Sequence, residues 1–156
     1  MIDRIEIRPA RPDDSDFVAG LASSLLEFSS PAWDDADALA PCFRDVLANA
    51  VRGQGPRSTV LIAQDSDGKR LGFISLKVGE DVAGIDRGHV ADLAVIAGAR
   101  RRGVGRALMQ AGEAWARERG FGLLSLDVWS TNDAALAFYR RLGYCMESLT
   151  LTKRLC

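Results

Sequence analysis

The chain has little of what most catalytic and metal-binding sites are built from. It carries one histidine, His89, and three cysteines, Cys42, Cys145 and Cys156, in 156 residues. A single histidine leaves a catalytic cysteine only one possible base, and nothing in the sequence pairs His89 with a thiol. Three cysteines are an odd number, at spacings of neither a disulfide framework nor a zinc site, and they point to a reducing compartment. No apolar run reaches the length of a membrane span. The opening Met1-Ile2-Asp3-Arg4 leads into a strand pattern and lacks the apolar stretch of a signal peptide, so the expected location is the cytoplasm. The formal net charge of −1 gives no global field toward nucleic acid, and any basic site must be local. Repeats, low-complexity tracts and long linkers are also missing. What remains is a chain with 47% hydrophobic and 26% charged residues, read as a single globular domain over residues 1–156.

Periodicity divides that domain into alternating elements. Ile5-Glu6-Ile7-Arg8 alternates as a strand ended by Pro9. Pro12 and the acids Asp13, Asp14 and Asp16 mark a helix start, with Phe17, Leu21, Leu25 and Phe28 as its buried stripe and Ser29-Ser30-Pro31 as its break. A second helix turns Leu39, Phe43, Val46, Leu47 and Val51 inward, with a kink at Pro41. Thr59–Ala63 and Leu71–Val78 form a hairpin across Asp65-Ser66-Asp67-Gly68-Lys69. Gly79–Gly88 reads as a loop and His89–Ile96 as the next strand. A long helix with Val104, Leu108, Ala111 and Trp115 on one face stops at Gly120. Leu124, Leu126 and Val128 alternate on a strand, Asn132–Leu142 is a short helix, and Tyr144–Leu155 is mostly a final strand. The expected architecture is α/β: a mixed sheet in the order β-α-α-β-β-β-α-β-α-β with helices on its faces.

The densest signal is Arg100-Arg101-Arg102-Gly103-Val104-Gly105-Arg106, between the 89–96 strand and the long helix. Glycines let a backbone approach a ligand closely. The unpaired N–H groups of a helix start attract anions, and four arginines in seven residues add forked donors for phosphate oxygens.

With its neighbours, this run resembles the GNAT superfamily of acetyl-CoA-dependent N-acetyltransferases. The family signature Arg/Gln-x-x-Gly-x-Gly/Ala is met by Arg100, Gly103 and Gly105. It follows the strand-ending Asp92-Leu93-Ala94-Val95 and precedes Leu126-Asp127-Val128, Asn132, Ala135, Phe138-Tyr139 and Gly143-Tyr144. The match spans roughly residues 55–147. The resemblance implies a sheet splayed at its centre and acetyl-CoA as co-substrate, with no metal. The pantetheine arm would pair with the backbone of Leu93-Ala94-Val95. The pyrophosphate would lie on Arg100, Arg101, Arg102, Gly103, Val104, Gly105 and Arg106, with Asn132, Ala135 and Tyr139 completing the cofactor site. Asn132 also suits a helix N-cap.

The implied reaction is direct attack of an amine on the thioester in a ternary complex. Tyr139 matches the tyrosine placed near the cofactor sulfur as general acid, and Phe138-Tyr139 also suits a core aromatic pair. The base is His89, Asp92 or a chain of waters. Simple alternation puts His89, Ala91, Leu93 and Val95 on one face and Asp92 on the other, unless a bulge re-aims it. Asp127 is a weaker counterpart of Asp92. Family specificity resides in segments that here are about 26–38 and 79–87, where Ser29, Ser30, Trp33, Asp34 and Asp35 would face Asp81 and Asp86. The acceptor is expected to be a primary amine of a small molecule. A protein or peptide N-acetyltransferase and a silent acyl-CoA-binding module are the alternatives, and a homodimer is the implied assembly.

Overall fold

The computed structural model of the chain describes residues 4–28 and 35–155. Five strands form one sheet in sequence order: β1 (Glu6–Pro9), β2 (Ser58–Gln64), β3 (Arg70–Glu80), β4 (Asp86–Val95) and β5 (Leu124–Leu126). The first four pair antiparallel, and β5 joins β4 in parallel. One face carries α1 (Ser15–Gly20), α2 (Ala22–Leu25) and α3 (Ala36–Arg52). There Val18, Ala22, Leu47 and Val51 pack on Val60, Ile62, Phe73 and Ala94. The other face carries α4 (Val104–Glu118), whose Val104, Leu108, Met109, Trp115 and Ala116 cover Ala63, Leu71, Ile74, Leu76 and Val90. Each large side chain so buried contributes about 1.5–3 kcal/mol. The last helix is α5 (Asp133–Arg141). Among the described residues no helix is long and apolar enough to cross a membrane.

Several elements depart from the sequence pattern. Pro9 lies inside β1, opposite Leu61 at the sheet edge, where its missing N–H costs nothing. The first helix breaks at Leu21 into α1 and α2, and Phe28 is partly exposed instead of buried. In α3 only Leu47 and Val51 are buried, whereas Leu39 and Val46 face solvent. The expected 79–88 loop is mostly strand. β3 and β4 run on to Glu80 and Asp86, and Asp81 closes the five-residue turn by accepting from Ala83 N at 2.8 Å and Ile85 N at 2.9 Å.

The expected final strand over Tyr144–Leu155 is not formed. Residues 145–155 lie off the sheet with Met146, Leu149, Leu151 and Leu155 exposed, tethered by Arg87 donating to Glu147 at 3.0 and 3.1 Å. Strand preference is realised through packing on a sheet face, and this segment has none to pack on.

A buried carboxylate locks the start of α1 to the sheet. Asp14 has no exposed surface and accepts from Arg8 at 2.7 and 3.0 Å, from Arg70 Nε at 2.6 Å and from Arg11 N at 2.7 Å. Burial alone would raise its pKa. The hydrogen bonds from Arg8, Arg11 N–H and Arg70 outweigh it and hold the carboxyl well below the usual range. β1, β3 and the helical face are thereby tied at one point.

Candidate active site

The turn between β4 and α4 adopts the conformation that its residues suggest. Gly103, the residue before α4, is left-handed at φ 83°, and Arg101 is left-handed at φ 61°. A left-handed residue next to right-handed ones gathers successive N–H groups into an anion-binding concavity, here continuous with the N-terminus of a 15-residue helix. Gly105 lines the cavity beside this turn and has a packing role as well. A Cβ there would come within 3.2 Å of Phe138 Cζ, so this glycine lets α5 dock on the first turn of α4.

The sheet opens beside that turn. β5 pairs with β4 only at Gly88–Val90, while β4 continues to Val95 against β3. Ile96 N donates to Leu71 O on β3, so by alternation the N–H and C=O groups of Leu93 and Val95 point away from β3, into the opening. A cavity of about 570 Å³ fills the gap. Leu93, Ala94, Val95, Arg100, Arg101, Gly103, Val104, Gly105, Arg106, Asn132, Ala135 and Tyr139 all line it. The structure thus brings together nearly all the residues named for the cofactor. Arg102 is exposed and stands outside the wall. The wall also includes Ser24, which the sequence reading missed, Glu27 and Phe28 from the 26–38 segment, and Arg141. Arg100 donates to Ser24 Oγ at 3.3 Å, and Thr131 Oγ1 to Phe28 O at 3.3 Å, holding the α2 side against the cavity mouth.

Asn132 caps α5 by accepting from Ala135 N at 3.1 Å, and it also lines the cavity. With Oδ1 engaged, the side-chain NH₂ is the group left for a ligand. Tyr139 lies between Phe138 and Tyr144, with ring centroids 5.0 and 5.9 Å away. Burial pushes its phenol up to about 12. Tyr139 is thus packed against the core and also lines the cavity.

The base candidates lie farther back on β4, outside that cavity. The β3–β4 register slips between Ser75 and Leu76: Ser75 faces Asp92 and Leu76 faces Val90, leaving Ala91 as the extra residue of a bulge. Simple alternation consequently fails. Leu93 and Val95 share the α4 face with Val90, whereas His89 and Asp92 stand together on the opposite face, across from Lys77 and Ser75. Burial lowers the His89 pKa, Asp127 opposes that, and Lys77 and Arg87 add to it. Burial pushes Asp92 up to about 6, with Lys77 pulling the other way. His89 Nδ1 is 3.0 Å from Ser125 Oγ, and Nε2 is 3.6 Å from Asp127 Oδ2. Ser125, opposite His89 in the parallel pairing, was not anticipated from sequence.

The described carboxylates of the expected acidic wall each have a local partner. Asp35 caps α3 by accepting from Asp37 N at 3.1 Å and Ala38 N at 3.2 Å, Asp81 is engaged in its turn, and Asp86 pairs with Arg57 at 3.2 Å. Ser29, Ser30, Pro31, Trp33 and Asp34 lie outside the described residues. Among the described residues no three His, Cys, Asp or Glu side chains converge as metal ligands.

The family model described as "Acetyltransferase (GNAT) family" matches residues 20–144. Streptothricin acetyltransferase of Streptomyces lavendulae is 30% identical, over 92% of this chain and 83% of its own length. Aminoglycoside N(6')-acetyltransferase type 1 of Klebsiella aerogenes is 32% identical, over 88% of each chain. Among solved structures, a GCN5-related N-acetyltransferase from Ralstonia eutropha JMP134 superposes with a TM-score of 0.76 at 25% identity, covering 97% of this chain and 99% of that one.

Proposed function

Because the chain belongs to the acetyltransferase (GNAT) family, we propose that it moves the acetyl group of acetyl-CoA to a primary amino group of a cationic small molecule by direct attack in a ternary complex. The observation that carries this reading is the unpaired Leu93–Val95 edge of β4, which runs into a cavity ending at the left-handed Gly103 and the N-terminus of α4. An extended amide-bearing arm that ends in a pyrophosphate matches a free strand edge leading to an anion cradle. The names of the two relatives, which act on streptothricin and aminoglycosides, support a small cationic acceptor. Asp92 and Asp127 supply negative charge on the His89 face.

The co-substrate supplies the activated acyl group, and the chain's own residues supply orientation and proton management. Leu93 and Val95 hold the pantetheine arm through backbone N–H and C=O groups, and Asn132 NH₂ adds a donor. Backbone amides from Arg101 to Arg106 and the guanidinium groups of Arg100, Arg101 and Arg106 hold the pyrophosphate. Tyr139 hydrogen-bonds to the departing sulfur. Full transfer from a phenol near 12 to a thiolate of ordinary thiol pKa, about 8.5, is uphill by roughly 5 kcal/mol. Its phenol thus stabilises sulfur charge as a hydrogen-bond donor more than as a source of the proton. His89 takes the amine proton, and Asp92 strengthens the anionic field for a cationic acceptor.

Exposed, free Cys42 and Cys145 support a cytoplasmic location. Exposed Met146, Leu149 and Leu151 support a homodimer of single-domain subunits. The experiment is an amine panel of aminoglycosides, streptothricin, polyamines and peptide N-termini, scored for acetyl-CoA-dependent thiol release. Turnover confined to peptides would replace the small-molecule acceptor. CoA binding without any turnover would leave a silent acyl-CoA-binding module.

A further inference from the structure

The Ser125 hydroxyl reaches two groups, His89 Nδ1 at 3.0 Å and the Gly88 carbonyl at 3.4 Å. A carbonyl can only accept, so the destination of the hydroxyl proton decides the state of the imidazole. If the proton goes to Nδ1, Nε2 must carry the ring hydrogen. That hydrogen then faces Asp127 at 3.6 Å, beyond hydrogen-bond distance, and the neutral ring has no nitrogen free to take a proton. If the hydroxyl instead donates to Gly88 O, Nδ1–H donates to Ser125 Oγ and Nε2 keeps its lone pair. The second arrangement adds the long 3.4 Å contact to Gly88 O where the first adds the 3.6 Å contact to Asp127, and only the second leaves Nε2 as a base.

We propose that Ser125 is the positioning residue that holds His89 in the Nδ1–H tautomer, through Nδ1–H to Ser125 Oγ–H to Gly88 O, so that Nε2 and the Asp127 carboxylate together receive the ammonium group of the acceptor. Nε2 contributes a lone pair and Asp127 a charge, with Nε2 and Oδ2 3.6 Å apart, two acceptors for a group with three donors. One proton passes from the ammonium nitrogen to Nε2, leaving a neutral amine and an imidazolium whose Nδ1–H stays on Ser125. Lys77 from β3 and Arg87 on β4 oppose that positive charge, and Asp127 beyond the end of β5 favours it. Asp92 shares the face. The ammonium part of this proposal rests on the acetyltransferase reading, whereas the tautomer does not.

Imidazole ¹⁵N–¹H correlation spectra give the test, because the chain has one histidine and its signals need no assignment. The wild-type protein, at a pH where the ring is neutral, is expected to show a protonated Nδ1 and a bare Nε2. Ser125→Ala should revert to the Nε2–H form that histidine favours in water, while Ser125→Thr keeps the wild-type pattern. Amine kcat/KM should fall at least about tenfold in Ser125→Ala and recover in Ser125→Thr, with CoA affinity unchanged. A wild-type ring protonated at Nε2, or the same spectrum in wild type and Ser125→Ala, overturns the proposal. The wild-type spectrum decides even if the alanine variant fails to fold. The expected tautomer in a protein that acetylates no amine would refute only the acetyltransferase reading.

Discussion

Phe138 lies against the backbone of Gly105, with its Cζ 3.2 Å from where a Cβ would stand. The contact seats α5, with Asn132 and Tyr139, on the first turn of α4. One absent methyl therefore couples the first turn of α4 to the residues proposed to face the thioester. Gly105→Val should force Phe138 aside, cost about 1–3 kcal/mol of stability by overpacking, and raise the CoA Kd roughly tenfold. Calorimetric titration with CoA and urea unfolding check both effects. Unchanged CoA affinity would mean that α5 does not depend on this contact.

Tyr139→Phe keeps the ring and removes the hydroxyl, so stability and CoA affinity should stay near wild type. The loss should fall on kcat, by about tenfold to a hundredfold, as expected for a donor that acts only when charge develops on sulfur. Steady-state kinetics and CoA titration separate the two. Equal losses in CoA affinity and turnover would give Tyr139 a binding role instead.

Asp14→Asn leaves Arg8 and Arg70 without their buried carboxylate and should cost about 3–5 kcal/mol, read by urea unfolding at neutral pH. The native pKa of Asp14 is depressed, so its contribution is present above the unfolded carboxylate pKa and lost as pH falls through the native one. The gap between wild type and variant should accordingly narrow only in strong acid. A gap that is constant down to acid unfolding would contradict the charge-based account.

Asp92 has the opposite sign. Its native pKa of about 6 lies above the ordinary aspartate value of 3.8, so the folded state holds the proton more tightly. Its ionisation therefore weakens the fold as pH rises from 3.8 to about 6. Asp92→Asn should stabilise the protein above pH 6 by at most about 3 kcal/mol, with the gain gone below pH 4. Thermal unfolding across that range checks it, and destabilisation at pH 8 would show that Asp92 has a partner worth more than its burial costs.

Most of the cavity lining was legible in the sequence because it is built from local signals. Arg100–Arg106 is one contiguous turn, Gly103 is the residue that a left-handed position favours, Asn132 is a helix cap, and Leu93 and Val95 belong to one strand. A bulge in β4 was allowed for, but its place at Ala91 exists only in the register against Ser75 and Leu76. The missed features depend on contacts between distant segments. Asp14 looked like a helix-start acid until Arg8 and Arg70 converged on it. Ser125 meets His89 only because β5 aligns the two. The final strand expected over 144–155 is not formed, because a strand needs a ladder and the described residues provide none there.

The central claim is tested most directly by incubating the protein with acetyl-CoA and each acceptor of the amine panel, measuring thiol release and the mass of the product. The account predicts stoichiometric CoA release with one acetyl group gained on an amino nitrogen of a cationic small molecule, abolished when the acceptor is omitted. Tight CoA binding with no acetylated product from any amine would contradict it.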